Sequence, residues 1–174
     1  MSEAPHYDRR TILFHWLTAG LIAIMWLIPQ FIDDFTGNSR IYVRSSHILL
    51  GLVLLAVVAA RLVWRTTSGK TLPPADDGWM DTAAKATHHG LYALTIAVLL
   101  LGVLFEAIRA DNILTLGRLP SIAPGNKDLR NTVGDLHALA ANAILILAGL
   151  HAAAALFHQF VMKDNLLRRM WRGV

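Results

Sequence analysis

Eight histidines occur among the 174 residues, and most lie inside or at the ends of long apolar runs. An imidazole ring can ligate a metal, donate or accept a hydrogen bond, or pass a proton near neutral pH. Placing such a ring in lipid-like surroundings costs free energy, so histidines within apolar runs mark function by default. His15, His47, His137 and His151 fall in this class. His88, His89 and His158 stand near the ends of runs, and His6 belongs to a polar N-terminal stretch, where it reads as solvated.

What must position these rings is a set of membrane helices. The chain is 55% apolar with a mean hydropathy of +0.46, and its apolar residues collect into runs over 12–32, 45–64, 90–108 and 137–162. Each is about the length that crosses a bilayer. Turn-forming and charged stretches separate them: Asp33-Asp34 with Gly37-Asn38, Pro73-Pro74 with Asp76-Asp77-Gly78, and Pro120 through Asn126. The expected fold is all-α, an integral membrane four-helix bundle forming a single transmembrane domain over 1–174. The first run is long enough to span and no small-residue cleavage site follows it, so it reads as a helix rather than a removable signal.

Charge sets the expected orientation. The net charge is +4, which in a soluble protein would suggest nucleic acid; here the positive-inside rule accounts for it, and no nucleic-acid partner is expected. Ten of the Lys and Arg residues, Arg172 among them, fall on the side of the two tails and the loop around Lys70. Arg40, Arg44, Arg109, Arg118, Lys127 and Arg130 make six on the other. Both termini are therefore expected in the cytoplasm. Trp16, Trp64 and Trp171 fall near that same interface, as belt residues do.

Depth then sorts the histidines. His15 lies near the start of the first span, His47 near the start of the second, which runs the other way, and His137 opens the fourth. His151 follows His137 on the same helix, roughly 21 Å deeper and about 40° short of four full turns, so both project to nearly one face. His47 and His137 thus share the periplasmic level, and His15 and His151 the cytoplasmic one. Two rings from different helices at one level suit the axial ligation of a flat macrocycle, and imidazole is a standard axial ligand of haem iron. The residues four positions on, Ala19, Gly51, Ala141 and Ala155, are all small and share the face of their histidine, leaving room for a porphyrin edge. Two haem b groups are the expectation. The absence of cysteine excludes iron–sulfur clusters and thioether attachment. Interhelical hydrogen bonding is the plainer alternative, and zinc a second, although zinc wants three or four ligands in one cluster.

His88 and His158 are placed to line a quinone pocket beside the inner haem, where a carbonyl oxygen wants a hydrogen-bond donor and a proton source. Helix-end polar residues are an equal reading of both. Arg61, closing the second span, suits a haem propionate.

These residues resemble the bacterial cytochrome b561 family, and in particular its superoxide oxidase branch. The longest match is Gly149-Leu150-His151-Ala152-Ala153-Ala154-Ala155-Leu156, with His158 and Lys163-Asp164-Asn165 after it. His15-Trp16, His47 with Gly51, Arg61-Leu62 and His88 with Tyr92 fall in the family's order. The resemblance implies a four-helix di-haem protein of the bacterial inner membrane, with His15, His47, His137 and His151 at the ligand positions. It further implies electron transfer from periplasmic superoxide, or another periplasmic donor, to ubiquinone. An electron-relay subunit of a larger oxidoreductase is the competing role, and a non-redox metal-binding membrane protein the remote one.

Overall fold

The computed structural model describes residues 6–75, 77–110 and 120–171; Arg118 and Arg172, counted above for orientation, lie outside them. Four long helices carry the chain: α1 (Arg9–Gln30), α2 (Gly37–Thr67), α3 (Trp79–Arg109) and α4 (Lys127–Phe157). All four are long and apolar enough to cross a membrane. Asp8 caps α1, one carboxylate oxygen accepting from the Thr11 amide at 2.9 Å and the other from the Thr11 hydroxyl at 2.6 Å. Asn126 caps α4 by accepting from the Leu129 amide at 3.0 Å. After Phe157 the chain makes a π turn (His158–Met162) and a 3-10 turn (Leu166–Arg169).

Three helices begin earlier than the apolar runs do: at Gly37 rather than near 45, at Trp79 rather than near 90, and at Lys127 rather than at His137. At 31 residues each they are about 46 Å long, against a hydrocarbon core of about 30 Å. Apolar content reports where a chain meets lipid. The helix itself continues into water, because its backbone bonds are internal and its first turns carry solvated charge such as the Asp81–Lys85 pair at 2.7 Å. As a result, His47 and His137 each lie ten residues inside a helix, and His88 and His89 do not begin α3.

α1 packs against α2 and α3 against α4, and the two hairpins meet across a looser seam. Apolar side chains face outwards as well as inwards, unlike those of a soluble bundle. Leu13, Ile24, Leu52, Leu100, Leu139 and Ile146 are exposed, as a lipid-facing surface requires. Leu21, Leu54, Val58 and Leu99 form the buried cluster. By helix position they lie between the levels of His15 and His47, and Ile144, 2% exposed, lies midway between His137 and His151. A mainly apolar layer, in which Thr18 and Thr95 are also buried, therefore lies between the two histidine levels.

The N-terminal stretch, the α2–α3 connection and the C-terminal turn close one end of the bundle. The Tyr7 amide donates to the Arg169 carbonyl at 3.0 Å, the Trp16 indole to the Met170 carbonyl at 3.0 Å, and the Arg169 guanidinium to the Pro73 carbonyl at 2.8 Å. Asp8 ties the N-terminal stretch to the end of α2 and the connection after it, since it also accepts from the Trp64 indole at 3.2 Å and the Lys70 amide at 3.1 Å. Burial works to raise its carboxyl, but the bonds from Thr11, Lys70 and Trp64 outweigh that and hold it well below the usual carboxylate range. A depressed carboxyl contributes stability above its unfolded value, near 4, and loses it as pH falls towards the folded value, so the Asp8 contribution is retained at neutral pH and lost in acid. Asp8→Ala is expected to cost about 1 kcal/mol through the lost cap and to make the Trp64 environment wetter at neutral pH. Thermal melting followed by tryptophan emission checks it.

Candidate cofactor site

Both histidine pairs meet across the seam between the hairpins. The His15 ring (α1) and the His151 ring (α4) lie 6.3 Å apart between centroids. The His47 ring (α2) and the His137 ring (α4) lie 6.2 Å apart. Imidazoles bound to opposite sides of one metal ion, with metal–nitrogen bonds of about 2 Å, hold their ring centres roughly 6 Å apart. Rings in direct hydrogen-bond contact would sit closer. Among the described residues no three or more His, Cys, Asp or Glu side chains converge in the way a zinc centre needs.

Helix α3 sets the state of His137. Nδ1 of His137 lies 3.0 Å from the Val98 carbonyl oxygen. A carbonyl only accepts, so Nδ1 carries the proton and Nε2 keeps its lone pair, the form a metal requires. Access to that carbonyl depends on Gly102, one turn further along α3. A Cβ at Gly102 would lie 3.1 Å from Cε1 and 3.4 Å from Nδ1 of His137. The absent side chain is the notch into which the ring fits. Across the pair, Nδ1 of His47 is buried without a hydrogen-bond partner among the described residues, a condition interiors seldom leave uncompensated.

At the other level, an open cleft of about 2580 Å³ contains His15, His151, Arg61, His88 and His158. Ordinary small-molecule sites occupy roughly 300–1,000 Å³, so there is room here for a macrocycle and a second ligand. Ala19 and Ala155 line it, two of the four small residues noted in the sequence; Gly51 instead faces the Met25 methyl, 3.3 Å from where a Cβ would stand. Arg61 Nη2 lies 3.4 Å from Nδ1 of His15, and its guanidinium stacks on Tyr92 at 5.2 Å. His88 is the nearest other imidazole to His151, at 5.2 Å. His158 donates from Nδ1 to Asp164 at 2.5 Å. At the far end, Arg40 is taken up by Asp33 at 2.6 Å.

Sequence reading missed Val98 and Gly102, and named Asp164 only within the family match, without its contact to His158. A glycine inside an apolar helix was the available signal for Gly102. The Val98 carbonyl, a backbone group, leaves no signal in residue type.

The family model described as prokaryotic cytochrome b561 matches residues 6–173. The chain belongs to the prokaryotic cytochrome b561 family. Members of this family are multi-pass haem b proteins of the bacterial inner membrane that transfer electrons. Cytochrome b562 of Cereibacter sphaeroides is 32% identical over 99% of both chains. Cytochrome b561 homolog 1 of Escherichia coli is 29% identical over 94% of this chain and 96% of its own. Probable superoxide oxidase CybB of Yersinia pestis is 28% identical over 94% of each. The residues present fit the family's cofactor: two imidazole pairs at ligating separation, one ring nitrogen already committed to a backbone carbonyl, and a cleft of sufficient size beside the other pair.

Proposed function

We propose that this cytochrome holds two haem b groups and carries electrons from periplasmic superoxide to ubiquinone. His15 and His151 hold the inner haem and His47 and His137 the outer, and both termini are cytoplasmic. The carrying observation is the pair of imidazole pairs at matched separation, one on each side of an apolar layer. Held by two imidazoles from this chain, the bound group would supply one-electron transfer. The chain supplies the rest. Val98 fixes the His137 tautomer, and the Leu54, Val58 and Leu99 layer lies between the levels. Arg61 is the propionate partner at the inner level, turning from His15 to do so. His88 and His158 line the quinone pocket beside it. The net reaction takes two superoxide ions, one ubiquinone and two protons to two O2 and one ubiquinol. Support for the donor comes from the Yersinia pestis relative, whose name carries superoxide oxidation.

The purified protein is expected to show a Soret band, two haems per chain, reduction by a superoxide pulse and re-oxidation by a short-chain ubiquinone analogue. Colourless protein would remove the haem assignment. Haem that a superoxide pulse leaves oxidised would remove the donor.

A further inference from the structure

We propose that Pro29 is a positioning residue for the outer cofactor: it frees the Met25 carbonyl of α1 to accept a hydrogen bond from Nδ1–H of His47, fixing that ring as the Val98 carbonyl fixes His137. This rests on the reading of His47 and His137 as ligands of the outer haem.

Pro29 stands inside α1, next to its last residue, Gln30. Proline has no N–H, and its ring crowds the carbonyl four residues earlier. In α1 that carbonyl belongs to Met25. It has lost its helical donor, and a span in lipid must find its partners within the protein. Two later carbonyls are provided for. Trp26 accepts from the Gln30 side chain at 3.1 Å, and Ile28 from the Phe31 amide at 3.3 Å.

The matching donor lies across the α1–α2 contact. Nδ1 of His47 is buried and makes no bond of full hydrogen-bond geometry among the described residues, while the Met25 backbone acts on this ring as an acceptor. The Met25 side chain anchors α1 against α2 at this point. Its methyl lies 3.3 Å from where a Cβ would stand on Gly51, one turn after His47, and the side chain packs on the buried cluster of Leu21, Leu54, Val58 and Leu99. An acceptor without its helical donor and a donor without a complete bond therefore face each other. Left apart, each is a buried polar group that costs free energy. A small closure between the two helices satisfies both.

With Nδ1–H turned to Met25, Nε2 of His47 keeps the lone pair that a metal requires. His137 is in the same state, its ring 6.2 Å away. The two outer ligands are then built alike. In each hairpin the first helix holds the ligand of the second, through a carbonyl four residues before an irregular position. Val98 precedes Gly102, which brings no Cβ, and Met25 precedes Pro29, which brings no N–H. At the inner level the group beside Nδ1 of His15 is instead the Arg61 guanidinium, at 3.4 Å. A carbonyl on Nδ1–H raises the basicity of the ring as a ligand, and a more basic ligand favours the oxidised metal.

The test compares haem-loaded wild type with Pro29→Ala and Pro29→Gly, by haem-to-protein ratio and redox titration. Both variants return an N–H to position 29, which takes up the Met25 carbonyl within α1. Both are expected to raise the midpoint potential of the outer haem and to weaken its binding about tenfold, the low end of what a lost outer-shell partner costs a metal site. The inner haem should keep its wild-type potential. Alanine and glycine stand far apart in helix propensity, so a like shift in both reports the restored N–H rather than the stiffness of α1. Met25→Leu keeps the carbonyl and should keep both potentials. Two haems at wild-type potentials in both Pro29 variants would overturn the role of Pro29 and leave the haem reading standing. A shift in one Pro29 variant alone, or an equal shift at both haems, would do the same. Wild-type protein that binds no outer haem overturns the ligand reading and this proposal with it.

Discussion

His151→Ala is expected to lower the haem content from two per chain to one, halving the Soret absorbance while the outer haem keeps its spectrum and midpoint potential. The two pairs make this a selective loss. His151 faces His15 at 6.3 Å, and His137, fourteen residues away on the same helix, faces His47 at 6.2 Å. The helix continues unbroken between them and alanine is its best former, so the substitution leaves the outer pair in place. One local substitute exists, the His88 ring 5.2 Å from His151. The His88→Ala, His151→Ala double variant removes that route, and its haem content should also be one. Haem-to-protein ratio and a redox titration decide it. Retention of both haems, or loss of both, would break the pairing.

Gly102→Leu is expected to do the reverse, emptying the outer site and sparing the inner. The added Cβ would press on Cε1 and Nδ1 of His137 from 3.1 and 3.4 Å, and a branched chain beyond it fills the notch through which Nδ1 reaches the Val98 carbonyl. The ring then loses both its position and the bond that holds its tautomer. Gly102→Ala is the graded control. It asks His137 to yield only a few tenths of an ångström, and it favours the helix by about 1 kcal/mol. A drop in outer haem occupancy or a shift in its potential in this variant runs against helix propensity, and so reports on the site itself. Gly102→Leu with both haems bound at wild-type potentials would show that the notch does not matter.

Much of this was legible in residue order, because a membrane imposes simple rules. Only helices satisfy their backbone bonds within a span, so four apolar runs meant four helices. Antiparallel neighbours at a rise of 1.5 Å per residue then fixed the depth of each histidine and matched His15 with His151 and His47 with His137. The helix ends were not legible in the same way. Hydropathy ends with the lipid, whereas α2, α3 and α4 extend through charged turns on the strength of internal hydrogen bonds and, at Asn126, of a cap.

Sequence alone determined the number of helices, the level of each imidazole and which rings share a level, since all three follow from periodicity along single helices. Tertiary structure decided what each ring touches. That His137 bonds Val98 beneath Gly102, that Arg61 stands against His15 and Tyr92, and that Asp164 returns to His158 depend on how separate segments rotate and turn towards one another. Depth is set by rise along one axis. Contact requires the azimuth of two elements and the path of the turns between them, and packing alone supplies those.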